Sequence, residues 1–272
     1  MKTKLLVSFS GGETSGFMAR KLQQGFSDQF EMIFVFANTG QELEKTLIFV
    51  DRCDKEYGLN VVWVEAVVYH DERKSCGHHV VTFETASRDG KPFEEVIKKY
   101  GIPNKPFPHC TRELKKNTIN SYRNSIGWGD CWTAIGIRLD EPKRVKETAE
   151  QEKIVYPLVH LFPTVKPQII DWWEDQPFRL GLKSYQGNCS WCWKKSTPKL
   201  IKIAKETPEV FRFPLRMERE YAMAGPSGEP QTFFRDHRSA KDILAMAEFL
   251  QPSLFIDNLE EDSGCSESCE AF

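Results

Sequence analysis

No apolar run in the 272-residue sequence approaches the ~18 residues that a membrane span needs. The opening, Met1-Lys-Thr-Lys-Leu-Leu-Val-Ser, has only three consecutive apolar residues, too few for the core of a secretory signal. Internal repeats and low-complexity linkers are absent as well. These gaps set aside membrane and exported classes, and the expectation is a cytoplasmic protein without a membrane partner. What is present describes a folded chain. Hydrophobic residues make up 40%, aromatics 12% and charged residues 28%, which excludes disorder for the bulk of it. At ~150 residues per domain, the length suits one large domain or one domain with an appendage.

The net charge of −2 hides a division. Asp257 to Phe272 holds six acidic residues and no Lys or Arg, leaving 37 basic against 33 acidic residues ahead of it. A mildly basic body with a short acidic tail permits nucleic-acid contact without demanding it. The eight cysteines (53, 76, 110, 131, 189, 192, 265 and 269) lack the small exported setting of a disulfide framework. Metal, iron–sulfur or redox use suits any that cluster.

Lys4–Phe9, Glu31–Asn38 and Asn60–Ala66 are short β-branched and aromatic runs, the pattern of strands covered on both faces. Leu43, Leu47, Val50, Cys53 and Tyr57 recur between the second and third at helical spacing. Such alternation predicts an α/β fold: a doubly wound, mostly parallel sheet with flanking helices and a helical C-terminal extension. Cys131–Ile137 reads as a further core strand, while 67–130 mixes short helices with turns. Thr197 reads as an N-cap followed by Pro198, with Pro208 closing that helix. Ser239 opens another, with Ile243, Ala247 and Leu250 on one face.

Ser10-Gly11-Gly12-Glu13-Thr14-Ser15-Gly16 follows the first strand directly. Paired glycines let the backbone approach an anion, hydroxyls add donors, and the next helix aims its first amides at the same spot. The loop reads as a phosphate cradle at the strand edge where α/β sheets bind ligands. Its glycine spacing is neither that of the Lys-bearing Walker loop nor that of the dinucleotide fingerprint. A tight strand-to-helix turn with an N-cap is the plainer alternative. Arg138, a permanently charged fork at the end of a core strand, suits an oxyanion or a surface pair with Asp140 or Glu141. Cys189-x-x-Cys192 in a Gly-Asn turn suits one metal, one cluster or a dithiol pair. Cys53 reads as core, and Cys76 stays open between ligand and loop residue. From Lys194 to Arg219, eight basic residues face three acidic ones, with Trp191, Trp193, Phe211 and Phe213 interleaved or alongside. Such a stretch is either a nucleic-acid or sulfonucleotide face or merely a solvated one.

The loop resembles the Ser-Gly-Gly-x-x-Ser pyrophosphate (PP) loop of the adenine-nucleotide α-hydrolase superfamily. Within it the chain looks like the phosphoadenosine-phosphosulfate (PAPS) reductase family. Asn38-Thr-Gly-Gln-Glu-Leu-Glu-Lys-Thr-Leu-Ile-Phe-Val, Cys110-Thr-Arg-Glu-Leu-Lys, Gly136-Ile-Arg-Leu-Asp-Glu and Gly187-Asn-Cys-Ser-Trp-Cys-Trp-Lys-Lys match further stretches of that family in order. The resemblance runs from about Lys4 to about Glu209. Together with the helical pattern and the acidic end, it divides the chain into a nucleotide-binding α/β domain over 1–165, a helical extension with the Cys-x-x-Cys block over 166–256 and an acidic flexible tail over 257–272. It puts the nucleotide, ATP or PAPS, on Ser10, Gly11, Gly12, Glu13, Thr14, Ser15, Gly16, Thr39 and Gly136. Arg138 would then act on phosphates or sulfate, and Cys110, Cys189 and Cys192 would hold a [4Fe–4S] cluster, with zinc as the alternative.

The family's reductases end in Glu-Cys-Gly-x-His, and this chain has instead Gly264-Cys265-Ser-Glu-Ser-Cys269. Three functions follow as expectations. The first is a transferase that adenylylates an acceptor, a nucleic acid or a small molecule, for sulfur transfer. The second is a thioredoxin-linked PAPS or adenosine-phosphosulfate reductase with Cys265 or Cys269 as the catalytic thiol. The third is a nucleotide-binding regulator without turnover. A homo-oligomer is compatible with each.

Overall fold

A computed structural model describes residues 2–249 apart from 184, 188, 226 and 227. Leu5, Leu6 and Val7 of β1 (Thr3–Ser8) have no solvent exposure, which requires layers on both faces. Their alternation divides them. Leu5 and Val7 join a core with α1 (Glu13–Phe26) and α2 (Glu44–Tyr57). Leu6 joins Val35, Val64, Ile119 and Trp128 on the opposite face. The sheet adds β2 (Phe30–Ala37), β3 (Val62–Val67), β4 (Gly77–Val81), β5 (Trp132–Ala134) and β6 (Ile154–Val155). Its order is β4-β3-β2-β1-β5-β6, parallel except for the β3–β4 pair. The mostly parallel α/β sheet read from the sequence is therefore present.

Chain direction across the sheet reverses at β1. β2 lies on one side of it and β5 on the other, so the loops after β1 and β5 leave the same edge together. The strand expected over Cys131–Ile137 stops at Ala134. Beyond it the chain turns inward, and Gly136 passes 3.5 Å, measured from an added Cβ, from the Ser15 backbone. β4 escaped the pattern because Gly-His-His-Val-Val is a half-exposed edge strand with no apolar alternation.

α3 (Lys91–Tyr100), a π-helical turn over Thr111–Asn117 and α4 (Thr118–Ser125) fill the middle. Thr118 donates its hydroxyl to the Glu113 carbonyl at 2.9 Å, occupying an oxygen at the widened turn. After α5 (Pro157–His160) and α6 (Lys166–Glu174) come α7 (Thr197–Glu206), α8 (Arg212–Tyr221) and α9 (Ala240–Phe249). Ser196, not Thr197, caps α7, a one-residue correction. Ser239 does open α9: its hydroxyl accepts from the Asp242 amide at 3.1 Å, while its own amide donates to the Asp242 carboxylate at 2.8 Å.

The extension is not a separate body. α6 packs on α1, and buried Trp173 donates its indole N–H to the Glu13 carbonyl at 2.9 Å, so a boundary at 165/166 passes through one core. α7, α8 and α9 share a second large core with α3 and the cysteine block. Among the described residues no helix is long and apolar enough to cross a membrane. The acidic tail, with Cys265 and Cys269, and Leu250 lie outside the described residues.

Candidate functional site

A cavity of about 270 Å³ opens where the sheet order reverses. Its walls include Ser10 to Ser15, Gly136 and Arg138, so the structure brings together most of the loop and strand-end residues picked from the sequence. Gly11 sits at φ +82°, and a Cβ there would lie 2.7 Å from Thr46 Cγ2, so this glycine is needed to make the turn. Gly12 differs. It has ordinary extended backbone, and its nearest neighbour to an added Cβ is Ser10 Oγ at 3.9 Å, so its open side is cavity. Gly12 begins α1 with no side-chain cap. Ser15 donates its hydroxyl to the Gly12 carbonyl at 2.9 Å and lies 3.1 Å from the Ser10 hydroxyl, which braces the loop. The first amides of an uncapped helix are hydrogen-bond donors for an anion.

Two predicted members lie elsewhere. Gly16 faces the core, where an added Cβ would meet Trp173 at 3.0 Å and Phe49 at 3.3 Å; it is a packing glycine. Thr39 is buried beside the cysteines, with its hydroxyl 2.9 Å from the Glu42 carboxylate and 3.6 Å from Cys189 Sγ.

Arg138 is only 1% exposed, so it is not a surface arginine. Its guanidinium spans both Asp140 oxygens at 2.9 and 3.3 Å and reaches Glu141 at 3.4 Å while still lining the cavity. The pair with Asp140 and Glu141 is present but buried, and these acidic partners orient a cation that lines the cleft. Arg144, Lys166, Arg179 and Lys183 add four more cations against Glu13 and Glu141. Glu13 accepts from Arg179 at 3.2 Å and from the Leu180 amide at 3.3 Å, tying the 179–187 strap to the loop. These four cations sit on three separate segments, and no spacing in the sequence groups them.

A second, smaller cavity of about 10 Å³ is walled by Cys110, Cys189 and Cys192 with Thr39, Lys115, Trp191 and Trp193. Trp193 donates its indole N–H to Cys110 Sγ at 3.4 Å, and Cys110 stands at the start of the π-helical turn. Buried Lys195 donates to the carbonyls of Gly187 and Cys189 at 2.8 and 3.0 Å, fixing the turn between the cavities. Gly187 lines the first cavity and Cys189 the second, so the two are neighbours. Cys110, Cys189 and Cys192, grouped in the sequence, thus line one small cavity. Among the described residues no three His, Cys, Asp or Glu side chains form a ready-made metal site. A space of about 10 Å³ takes one atom of water's size. A four-iron cluster is larger than this space.

His109 is buried, its Nε2–H donates to the Gly101 carbonyl at 2.9 Å, and burial lowers its pKa. Cys53 is core, its thiol pushed up by burial. Cys76 is also buried, pushed up to about 12 by desolvation and by Glu113, whose carboxylate accepts its backbone amide at 3.2 Å. Burial would raise Glu113 too, but donors from Asn117, Arg112 and Cys76 outweigh that and hold it below the usual range.

Most of the charge of the Lys194–Arg219 stretch is solvated: Lys205, Arg212 and Arg219 are exposed, and Lys194, Lys202 and Arg216 are half-buried. Lys195, Lys199, Trp191, Trp193, Phe211 and Phe213 are buried, and Arg216 pairs with Glu94 at 2.7 Å. Its aromatics are core, which the basic composition of the segment concealed.

No family profile matches the chain. It is 21% identical to the uncharacterized protein MJ0066 of Methanocaldococcus jannaschii over 84% of this chain and 44% of that one. With the uncharacterized protein MJ0973 of the same organism it shares 28% identity over 61% of this chain and 33% of that one. It thus spans less than half the length of either archaeal relative. It is 32% identical to the uncharacterized nin region protein ORF290 of Escherichia phage lambda over 98% of this chain and 94% of that protein. Near-complete coverage at that identity means that the chain belongs to the family of the phage lambda nin region protein ORF290.

Proposed function

We propose that this protein is a PAPS reductase-like PP-loop enzyme that binds ATP in the loop cavity and adenylylates an acceptor as the first step of sulfur transfer. The observation carrying this reading is the convergence of the uncapped α1 terminus, Gly12, Gly136 and the buried Arg138 on one cation-rich cavity beside three cysteines. The helix amides and Arg138 would hold the phosphates, and Arg144, Lys166, Arg179 and Lys183 would offset their charge. An acceptor oxygen attacks the α-phosphorus, the α–β anhydride bond breaks, and its electron pair leaves with pyrophosphate. The adenylate on the acceptor is then the leaving group for a sulfur nucleophile. Cys110, Cys189 and Cys192 would supply three thiolates to an iron–sulfur cluster, or to zinc, whose chemistry is to bind sulfur. The acceptor is a nucleic acid or a small molecule.

Protein purified without air is incubated with ATP labelled at the α or γ position, and separately with PAPS. AMP or an adenylylated acceptor together with pyrophosphate supports the reading. Sulfite from PAPS replaces it with a reductase drawing on a thioredoxin-like donor. Nucleotide binding without either product points to a regulator.

A further inference from the structure

On the far side of the His109–Arg112 turn from the cysteines lies a third cleft of about 980 Å³, more than three times the loop cavity. Arg73, Lys99 and Arg112 line it, and among the described residues no Asp or Glu does. Its other walls are Tyr100, His109 and Pro106-Phe107-Pro108. Phe107 is 49% exposed. It is also held rigidly: its amide donates to Asn104 Oδ1 at 3.1 Å, and its carbonyl accepts from the amides of Asn104 and His109 at 3.3 and 2.9 Å. Asn104 is itself anchored by donating to Gln231 Oε1 at 3.1 Å and to the Thr232 carbonyl at 3.2 Å. With a proline on each side, the ring is presented to solvent at little entropic cost.

The floor is equally built. Gly101 and Gly225, both at positive φ, bring two backbone segments together; a Cβ on Gly101 would lie 2.6 Å from the Ala224 carbonyl oxygen. Lys99 donates to the carbonyls of Tyr69, Glu72 and Lys74 at 2.6, 2.9 and 2.9 Å, so it is fixed without a carboxylate partner. A preformed cleft with three cations on its walls, Lys99 fixed by carbonyls and Arg112 oriented by Glu113 at 2.8 Å, and with a rigid exposed aromatic, matches a strand of phosphodiesters with unstacked bases. We infer that this cleft binds single-stranded nucleic acid, with a base stacked on Phe107 and phosphates against Arg73 and Arg112. This binding does not depend on the nucleotide reading above.

Fluorescence anisotropy with short labelled oligothymidylate and oligouridylate strands tests it on the full chain and separates DNA from RNA. At least one strand binds, and its affinity falls with added salt. Phe107→Ala, a change at an exposed ring, weakens binding about 5- to 150-fold, the range for loss of one stacked base. Arg73→Glu weakens it and flattens the salt dependence. Gly12→Val, altered in the loop cavity, binds the strand like wild type. Failure to bind either strand, equal affinity for a duplex or an oligoglutamate, unchanged affinity in Phe107→Ala, or loss in Gly12→Val each overturns the assignment.

Discussion

Replacing Gly12 by valine separates the loop's role in folding from its role in binding. Gly12 has φ −101° and ψ 161°, a conformation that a β-branched residue adopts readily, and an added Cβ has 3.9 Å of clearance. The folding cost is that of a poorer N-cap, about 1 kcal/mol or less. The valine methyls, however, enter the cavity where phosphate oxygens would meet the α1 amides. One or two charge-assisted hydrogen bonds at about 1.5–3 kcal/mol each weaken binding at least roughly tenfold. Gly11→Val should behave oppositely. Its Cβ falls 2.7 Å from Thr46 Cγ2 at φ +82°, so the damage goes to stability, by about 2 kcal/mol or more. Calorimetric titration with ATP, paired with urea unfolding, measures both effects. Undiminished ATP affinity in a folded Gly12→Val protein would refute the placement of phosphates at this loop.

Glu218 should make stability depend on pH. Burial raises its pKa to about 7 from an ordinary 4.5, although the amides of Phe233 and Ala240 donate to it. Between these values the unfolded chain loses the proton that the folded chain keeps, so stability falls as pH rises, by about 3 kcal/mol in all. Urea unfolding from pH 4.5 to 8 should show that fall for wild type relative to Glu218→Gln; parallel profiles would contradict it. Trp173→Ala should cost about 3–5 kcal/mol, because it empties a fully buried site and removes the indole bond to the Glu13 carbonyl. Thermal unfolding reads that loss, and a change below about 1 kcal/mol would remove Trp173 from the loop's support. Serine at Cys110, Cys189 or Cys192 should each lower the iron and sulfide, or zinc, of protein purified without air, while Cys53→Ser should not. Equal metal content in all four would sink the shared centre.

The central strands were legible because burial on both faces forces continuous apolar runs, as in Leu5-Leu6-Val7. The glycine loop was legible because close backbone approach needs particular residues at adjacent positions. Arg179 and Lys183 were not, since long cations on a strap converge through folding rather than spacing. Gly16 shows the converse: a glycine of the Ser10–Gly16 loop that serves helix packing against Trp173. In the Lys194–Arg219 stretch the charge count conveyed the solvated cations but not that Lys195 is buried with its ammonium on two carbonyls. Exposed aromatics carry a weak sequence signal, and Phe107 emerges only once its rigid mounting and exposure are seen together.

The most direct measurement of the account is the electron density of ATP in crystals of this protein grown with the nucleotide. The phosphates should lie on the amides that begin α1, beside Gly12 and within reach of Arg138. Phosphates bound at any other place, with the Ser10–Ser15 loop empty, would contradict it.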